Sequence, residues 1–209
     1  MKQVSKELLE QLGKYSVPEL CDGAGLYNTM DYHIKPMVTT EKIIGPARTI
    51  KVPVGEGAII ADALMEVQAG EVIVIAGHGN CQSSYWGDHR SFCAKFQGAA
   101  GVVIDGAFRD VEGCEEIGFP IYARAITPGT AGKSGTGAIN VPVSCGGVIV
   151  NPGDIVVGDR NGVCVIAPED VETVMAKAQR KIDAQEWTIN EMKRTGVVMP
   201  KVVFNKVND

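Results

Sequence analysis

Three charged residues stand at the two ends of a segment whose middle has the composition of protein core. Asp88 follows a glycine in "WGDHR", and Arg109 and Asp110 follow the apolar run "GVVIDGAF". Free backbone N–H groups at the start of a helix bind a carboxylate, and an arginine adds a planar two-pronged donor. A carboxylate can hold a hard divalent cation. The combination therefore indicates a small site for an anionic ligand and a metal ion.

Each of these residues also has a purely structural interpretation. Asp88 can cap or solvate a helix, Arg109 can pair with Asp110 or another neighbour, and Asp110 can cap the segment "VEGCEEIG". Taken singly, the structural roles are the commoner ones, because ion pairs without a catalytic role are frequent. The functional interpretation depends on all three residues occurring together.

The elements around the three residues are predicted to bring them together. The segment "EVIVIAG" has the pattern of a short buried strand and opens into the glycine loop "GHGN". A helix is predicted from about Ser83 to Gln97, and "GVVID" is a second buried strand. This order of strand, helix and strand gives a parallel unit with a right-handed crossover. The loops that follow the two strands then meet at one sheet edge, where α/β folds gather ligands.

The rest of the chain alternates between helical and extended patterns. Helices are predicted over Val4–Leu12, after Ser16 with Pro18 in the first turn, over "GAIIADALMEVQAG" to Gly70, over "RDVEGCEEIGFP" to Gly118, and from Pro168 to about Arg194. Strands are predicted for Ala47–Val54, "IYARAIT", "VPVSCGGVIV", "DIVVGD" and "GVCVIAP". No repeat or domain boundary is evident, so residues 1–209 are predicted to form one α/β domain.

Composition limits the class of protein and its partners. The 209 residues are 45% hydrophobic and include 25 glycines, which suits one compact domain with a sizeable core. A net charge of −5 argues against a nucleic-acid surface, which needs clustered lysine and arginine. No apolar run is long enough to cross a membrane, and the charged N-terminal segment lacks the apolar stretch of a signal peptide. We therefore expect a cytoplasmic protein whose partners are small molecules.

The cysteines give no sign of a cross-linked or metal-bound framework. None of the six lies in a C-x-x-C pair, and no histidine stands near them in the register of a zinc finger. The chain should therefore carry reduced, mostly buried thiols and no disulfides. The six are Cys21, Cys81, Cys93, Cys114, Cys145 and Cys164.

Several familiar motifs are incomplete in this chain. The segment "GHGNCQ" lacks the third glycine of a dinucleotide-binding fingerprint. In "TPGTAGKSGTG", Thr127 stands where a phosphate loop needs its first glycine, and Thr136 where a nucleophile elbow needs its last. His33, His78 and His89 have no second histidine four residues away, so the sequence does not support a two-histidine metal site.

A longer pattern around the three charged residues resembles a known family. Asp88, then twenty intervening residues, then Arg109 and Asp110 lie in a segment that contains "GAAGVVIDGAFRD" and continues with "GFPIYAR". This is similar to the 4-hydroxy-4-methyl-2-oxoglutarate aldolases, which share a fold with the regulator of ribonuclease E activity A. The similarity extends through "VPVSCGGVIVNPGDIVVGDRNGVCVIAP" to the last helix. It implies an α/β, single-domain swivelling β/β/α-type fold with mixed sheets and a C-terminal helix.

The resemblance also implies an activity, a cofactor and an assembly. The implied activity is that of a class II pyruvate aldolase, which cleaves 4-hydroxy-4-methyl-2-oxoglutarate or 4-carboxy-4-hydroxy-2-oxoadipate to pyruvate and a second keto acid. Oxaloacetate decarboxylation is the implied side reaction. The implied cofactor is a divalent cation, usually Mg²⁺ or Mn²⁺, in a cleft between subunits. The implied assembly is a homotrimer or a homohexamer made of two trimers.

The resemblance assigns roles to individual positions. Asp110 matches the direct metal ligand, and Asp88 matches the carboxylate that holds the metal through water. Arg109 matches the residue that contacts the pyruvyl oxygen and orients the metal-bound water, so it would stabilise the enolate formed on bond cleavage. Backbone groups of Gly87, Asp88 and His89 would receive the substrate carboxylate, with the "GHGN" loop as the opposite wall.

Glu186, His89 and Arg90 each have more than one interpretation. Glu186 resembles a glutamate of the last helix that reaches the metal water of a neighbouring subunit, although glutamates on so charged a helix are usually solvated. The family commonly has a small apolar residue after Gly-Asp, but here His89 and Arg90 follow. His89 can be a proton donor or a neutral wall residue. Arg90 can contact the distal group of a substrate or lie on the surface of a helix. The identity of the substrate therefore stays open.

A second hypothesis belongs to another class of function. The chain could be a binding protein that inhibits a ribonuclease through its surface, without chemistry. Such a regulator has no need of metal carboxylates, so the presence of Asp88 with Arg109 and Asp110 favours the enzyme. An old name attached to the family, menaquinone methyltransferase, finds no support, because no glycine-rich cofactor loop followed by an acidic strand end is evident.

Overall fold

A mixed sheet of eight strands forms the centre of the computed structural model, which describes residues 4–25 and 28–204. Four parallel strands make up its middle, and they are β2 (Ile43–Lys51), β3 (Val72–Trp86), β4 (Gly101–Phe108) and β5 (Ile121–Ile126). They pair in the order β5-β4-β3-β2. All eight residues of β4 are buried, because both faces of the parallel block are covered.

Antiparallel strands extend this parallel block. The short strand β1 (Lys35–Pro36) pairs with β5, and the short strand β6 (Ala138–Ile139) pairs with the end of β2. The hairpin of β9 (Ile155–Asp159) and β10 (Gly162–Ile166) continues the sheet from β2. A separate two-stranded hairpin of β7 (Val143–Cys145) and β8 (Val148–Val150) packs beside the sheet.

The helices cover the sheet in two groups. Three of them connect the parallel strands and pack on one face, whereas the other three pack against β9 and β10. The hairpin β7–β8 covers part of the opposite face. The first group is α3 (Ile59–Glu66), α4 (Asp88–Phe96) and α5 (Val111–Ile117), and the second is α1 (Lys6–Leu12), α2 (Val17–Ala24) and α6 (Val171–Thr195).

Much of the predicted element order is confirmed. The structure has the parallel unit β3-α4-β4, and α5 ends before Gly118 as expected. Ser16 caps α2 in a capping box with Glu19, and Pro18 lies in the first turn. The predicted α/β fold with mixed sheets and a C-terminal helix is the fold observed.

The predicted boundaries were wrong at β3 and α4. The "GHGN" segment does not end the strand, because β3 continues through residues 77–80 to Trp86. Its ladder with β4 resumes after register shifts, with Ser84 opposite Ala107 and Trp86 opposite Phe108. The predicted helix start at Ser83 is therefore occupied by strand, and α4 begins at Asp88.

Three other boundaries also shift. Strand β2 begins at Ile43 rather than Ala47, because its first residues pair with β9. Helix α3 ends at Glu66, before the predicted Gly70, and α6 begins at Val171.

Within the described residues, no helix is both long and apolar enough to span a membrane. All six cysteines lie in the described part of the chain, and each thiol is free.

Candidate active site

A cavity of about 260 Å³ opens where β3 and β4 end. Gly87, Asp88 and His89 line it from the start of α4, and Arg109 and Asp110 line it from the junction between β4 and α5. The two strand ends are joined directly, because the Arg109 backbone N–H donates to the Trp86 carbonyl oxygen at 3.0 Å. The structure therefore brings the residues predicted from the first motif into one cavity.

Asp110 has an uncommon backbone conformation. Its φ of 57° and ψ of 50° are left-handed, which costs free energy for a residue other than glycine and is best tolerated by aspartate and asparagine. Although Asp110 occupies the N-cap position of α5, its side chain makes no capping bond to the described backbone of that helix. The capping interpretation of Asp110 was therefore wrong, and the carboxylate is turned toward Arg109 instead.

Arg109 and Asp110 form an open ion pair at the cavity. The Arg109 Nε donates to the Asp110 Oδ2 at 3.2 Å, and the two side chains are 44% and 40% exposed. This is the pair that the structural interpretation anticipated. An exposed pair of this kind stabilises a fold little, because water screens it. Both side chains therefore keep donors and acceptors for a ligand.

Two glycines make room for the two carboxylates. A Cβ atom on Gly87 would lie 2.5 Å from the Asp110 Oδ2, and a Cβ atom on Gly113 would lie 2.9 Å from the Asp88 Cβ. Gly113 is inside α5, where glycine weakens a helix by about 1 kcal/mol relative to alanine. The close approach of Asp88 accounts for a glycine at this position.

The first turn of α4 lies at the cavity. Gly87 is the N-cap residue, and the Asp88 Oδ1 accepts a hydrogen bond from the His89 backbone N–H at 2.6 Å. The turn is fixed from behind, because the Ser91 hydroxyl donates to the Gly87 carbonyl oxygen and accepts from the Trp86 indole N–H. The positive end of a helix and its N–H groups favour an anion at this point.

Arg90 is not the surface residue that the helix pattern favoured. Its guanidinium is half-buried and donates to the carbonyl oxygens of Tyr85 and Gly57, the latter at 2.7 Å. Burial and the nearby Arg109 guanidinium lower the pKa of Arg90. Arg90 therefore connects the end of β3 to the loop before α3, and it adds a second guanidinium to the cavity lining.

The opposite wall of the cavity differs from the expected one. Residues 77–80 were expected there, but they lie inside β3, where His78 bonds to the Val52 carbonyl oxygen. The described residues that form the wall belong to two loops, 57–58 and 130–133. These loops are tied together by the Gly57 N–H, which donates to the Gly132 carbonyl oxygen at 3.1 Å.

Lys133 is a lining residue that the sequence reasoning missed. It belongs to the "AGKSGTG" segment, which fails as a phosphate loop but still reaches the cavity. The Glu56 carboxylate holds this loop by accepting from the Ser134 backbone N–H at 2.9 Å. The sequence signal that could have predicted Lys133 as a lining residue was a lysine within a glycine-rich loop. The cavity thus has three cationic side chains, which matches an anionic ligand.

Glu186 lies apart from these residues. It is exposed on α6 and is not one of the described residues that line the cavity of its own chain. A role for Glu186 would therefore require a second copy of the chain, and it stays a prediction.

The donor groups fit a hard divalent cation. Asp88 and Asp110 supply carboxylate oxygens, and residues 4–25 and 28–204 contain no group of three His, Cys, Asp or Glu side chains arranged to hold a metal. Zinc sites in proteins commonly have three or four such ligands. Mg²⁺ is often held by one or two carboxylates while it keeps several waters. The residues present therefore suit Mg²⁺ or the similar Mn²⁺ better than zinc.

Comparisons with known proteins point to one family. A family model described as RraA-like, Aldolase/RraA, matches residues 17–165. A protein of Halalkalibacterium halodurans, provisionally named 4-hydroxy-4-methyl-2-oxoglutarate aldolase, is 38% identical over 87% of this chain and 86% of its own length. The Thermus thermophilus protein named 4-hydroxy-4-methyl-2-oxoglutarate aldolase is 33% identical over 60% of this chain and 76% of its own.

The solved structures include a protein described through its effect on a ribonuclease. RraAS2 of Streptomyces coelicolor is described as an unusual member of the RNase ES inhibitor RraA protein family. It superposes with a TM-score of 0.77 at 30% identity, over 93% of this chain and 99% of its own. Relatives of this chain are thus named both for a lyase activity and for inhibition of a ribonuclease.

Proposed function

This chain belongs to the RraA-like family, and we propose that it is a divalent-metal-dependent class II pyruvate aldolase. The similarity to relatives that are named as aldolases supports a lyase activity. The observation that carries the proposal is the meeting of Asp88, Arg109 and Asp110 at one cavity that basic side chains surround. The proposed substrates are 4-hydroxy-2-oxo acids of the 4-hydroxy-4-methyl-2-oxoglutarate or 4-carboxy-4-hydroxy-2-oxoadipate type.

The charge of the cavity suits a substrate with several carboxylates. The C1 carboxylate of the keto acid would lie against the first turn of α4, at the backbone of Gly87, Asp88 and His89, where it would replace the Asp88 carboxylate as the acceptor of the His89 N–H. Arg90 and Lys133 line the same cavity and add positive charge for the distal carboxylates. His89 is exposed at the same cavity, where its ring can form a hydrogen bond with the substrate.

Asp110 would hold the cation directly, and Asp88 would hold it through water. A bound Mg²⁺ or Mn²⁺ supplies a Lewis acid for the C2 carbonyl group of the substrate. The left-handed backbone of Asp110 and the missing Cβ of Gly87 fix the direction of the Asp110 carboxylate. Strain of this kind is stored at functional sites when the surroundings hold it in place.

Arg109 is the proposed catalytic side chain. When the bond between C3 and C4 breaks, the C4 hydroxyl group loses its proton and becomes the carbonyl group of the second keto acid. The electrons of the bond move into the pyruvate fragment, negative charge develops on the C2 oxygen, and a proton from water then adds at C3. The Arg109 guanidinium is permanently charged and planar, so it can donate to that oxygen as the charge grows. Decarboxylation of oxaloacetate yields the same enolate of pyruvate, and we therefore propose it as a side reaction.

The proposed assembly is a homotrimer or a homohexamer. Glu186 of one copy would reach the metal water in the cavity of the next copy, since it does not line the cavity of its own chain. Closed cyclic symmetry is the usual form for such a shared site. A monomer in solution with full activity would contradict the shared site. Light scattering on the purified protein, combined with an activity measurement on the same fraction, decides this point.

Inhibition of a ribonuclease is the second candidate function. It rests on the similarity to RraAS2 of Streptomyces coelicolor, a protein described as a member of an RNase inhibitor family. An inhibitor would act through its surface, and it would not need Asp88, Arg109 and Asp110 at one cavity.

A pyruvate-release assay distinguishes the two functions. The protein is incubated with a panel of 4-hydroxy-2-oxo acids and with oxaloacetate, in the presence of Mg²⁺ or Mn²⁺ and then in the presence of a chelator. We expect release of pyruvate that the chelator abolishes and added cation restores. Absence of release from every substrate, together with inhibition of a ribonuclease in a parallel assay, would favour the second function.

A further inference from the structure

Cys21 on α2 and Cys164 on β10 both border Thr29. The Cys21 Sγ is 3.2 Å from the Thr29 Oγ1, and Thr29 forms an antiparallel bridge with Cys164. Residues opposite each other in an antiparallel bridge place their side chains on the same face. Cys164 is buried in the apolar cluster between the sheet and the N-terminal helices, and Cys21 packs against that cluster. The two thiols are therefore within reach of each other, although 142 residues separate them along the chain.

The two cysteines differ in their surroundings. Cys21 is partly exposed, whereas Cys164 has no exposed surface. Hydrogen bonds, above all the one with Cys164 and then the one with Thr29, lower the pKa of Cys21 to about 6. The bond with Cys21 and then burial raise the pKa of Cys164. The accessible thiol is thus the one that loses its proton first, and a thiolate is the reactive form of cysteine.

Charged groups near the two cysteines have opposing effects on the thiol pKa values. Asp22 on α2 and Asp159 on β9 raise the pKa of Cys21, so they oppose the hydrogen bonds. Asp22 is itself paired with Lys181 of α6, at 2.5 Å between the Lys181 Nζ and the Asp22 Oδ1. Lys42, which precedes β2, favours the charged form of Cys164. Burial also raises the pKa of Cys21, but the hydrogen bonds outweigh both burial and these charges.

We propose that Cys21 and Cys164 form a redox-active dithiol that small hydroperoxides oxidise to a disulfide. Cys21 is the attacking group and Cys164 is the resolving thiol. The Cys21 thiolate attacks the terminal oxygen of the hydroperoxide, the O–O bond breaks, and the departing alkoxide or hydroxide takes a proton. Cys21 is then a sulfenic acid.

The second step closes the disulfide. The Cys164 sulfur attacks the Cys21 sulfur, the S–O bond breaks, and the hydroxyl group leaves as water with the thiol proton of Cys164. The two sulfurs together lose two electrons, which the hydroperoxide accepts. The bond ties α2 to β10, and neither cysteine is among the described residues that line the proposed active site. Oxidation should therefore stabilise the fold more than it changes the lyase activity.

Mass spectrometry of the full chain tests the proposal. The reduced protein is treated with hydrogen peroxide in small molar excess, and we expect the loss of two hydrogens and a linked peptide that contains Cys21 and Cys164. Cys164→Ala should stop the reaction at a Cys21 sulfenic acid that dimedone traps. Cys21→Ser should abolish the linked peptide. Cys81→Ser removes another partly exposed thiol and serves as the matched control, so it should behave like the parent protein.

The rate of alkylation against pH gives an independent readout. The rate at Cys21 in the parent protein should rise with a midpoint well below the ordinary thiol pKa of about 8.5. The Cys164→Ala variant should shift that midpoint upward, because it removes a hydrogen bond to the thiolate. If Cys164→Ala does not fold, Cys21→Ser in the parent chain still tests the pairing. Oxidation of Cys21 no faster than Cys81, or separate over-oxidised cysteines without a linked peptide, would overturn the proposal.

Discussion

Two clusters of one arginine and two aspartates lie among the described residues, and the central ion pair of one is far less exposed than that of the other. The closed cluster consists of Arg124, Asp105 and Asp31. Arg124 pairs with Asp105 through its Nε and with the Asp31 Oδ2 at 3.1 Å. The second Asp105 oxygen accepts from the Gly146 backbone N–H at 3.0 Å. The Arg124 and Asp105 side chains are only 17% and 8% exposed, so water has little access to this pair.

The open cluster consists of Asp88, Arg109 and Asp110, which follow the ends of β3 and β4. Arg109 and Asp110 keep more than twice the exposure of the closed pair, and their contact is a single hydrogen bond of 3.2 Å. Buried polar groups must be paired, whereas groups at a cavity can keep unused donors and acceptors for a ligand. Arginine and aspartate therefore stabilise the fold where their hydrogen-bonding groups are all paired and buried. The same residue types can bind a ligand where those groups are unpaired and exposed to the cavity.

The largest effect on stability should come from the closed cluster. Asp105→Ala leaves the half-buried Arg124 without its main partner, and breaking a buried pair in this way costs about 3 to 5 kcal/mol in the free energy of unfolding. Urea denaturation measures this loss. Asp88→Ala in the open cluster is the matched comparison, and it should change the free energy of unfolding by less than about 1 kcal/mol. Equal losses in the two variants would remove the distinction between the clusters.

Apart from the proposed metal ligand Asp110, the largest effect on catalysis should come from Arg109. Arg109→Lys keeps the positive charge but replaces a planar donor with a flexible point charge. Removing a comparable donor lowers kcat on the order of 10²–10³, and we expect a loss of that size with little change in unfolding. Steady-state kinetics of pyruvate release measures it. A rise confined to KM would show that Arg109 binds substrate and transition state equally, which contradicts its catalytic role.

A smaller effect on catalysis should follow from crowding the open cluster. Gly87→Ala is compatible with the backbone, since φ is −166°, but the new Cβ would lie 2.5 Å from the Asp110 Oδ2. The carboxylate must move, and a misplacement of about 1 Å can cost on the order of 10² in rate. Pyruvate release from the variant measures the effect. Gly13→Ala, at the end of α1, is the control and should leave the rate unchanged. Full activity of Gly87→Ala would contradict the assigned position of Asp110.

The smallest effect concerns acid stability in the closed cluster. Hydrogen bonds from the His33 backbone, then from the His33 ring and Arg124, lower the pKa of Asp31 to about 2. An unfolded aspartate has a pKa of about 3.9, so the contribution of Asp31 is present above that value and is lost as pH falls toward 2. The Tm difference between the parent protein and Asp31→Asn should therefore shrink between about pH 4 and pH 2. A difference that stays constant over this range would contradict the assignment.

Periodicity was enough to predict the parallel core and several helices. The buried run of β4 and the helix start after Ser16 are local signals, and both appear as expected. The meeting of Asp88 with Arg109 and Asp110 followed from the parallel order of β3 and β4. This part of the site could be predicted because parallel strands bring their ends to the same edge.

The rest of the site depends on contacts between distant segments. The wall formed by loops 57–58 and 130–133 is held by hydrogen bonds across more than seventy residues, such as Gly57 to Gly132, which leave no periodic signal. The full length of β3 was missed because its ladder is irregular at residues 77–80. The burial of Arg90 depends on the Tyr85 and Gly57 carbonyl groups, which only the tertiary structure brings together.

The central claim is that the Asp110 carboxylate supports a metal-dependent lyase reaction, and Asp110→Asn tests it most directly. Asparagine tolerates the left-handed backbone and has nearly the same shape, so the variant changes the charge and leaves the fold intact. The measurement is pyruvate release from 4-hydroxy-2-oxo acids as Mg²⁺ or Mn²⁺ is titrated. We expect a loss at least on the order of 10²-fold at every metal concentration, with unchanged unfolding. Full metal-dependent turnover by Asp110→Asn would contradict the account.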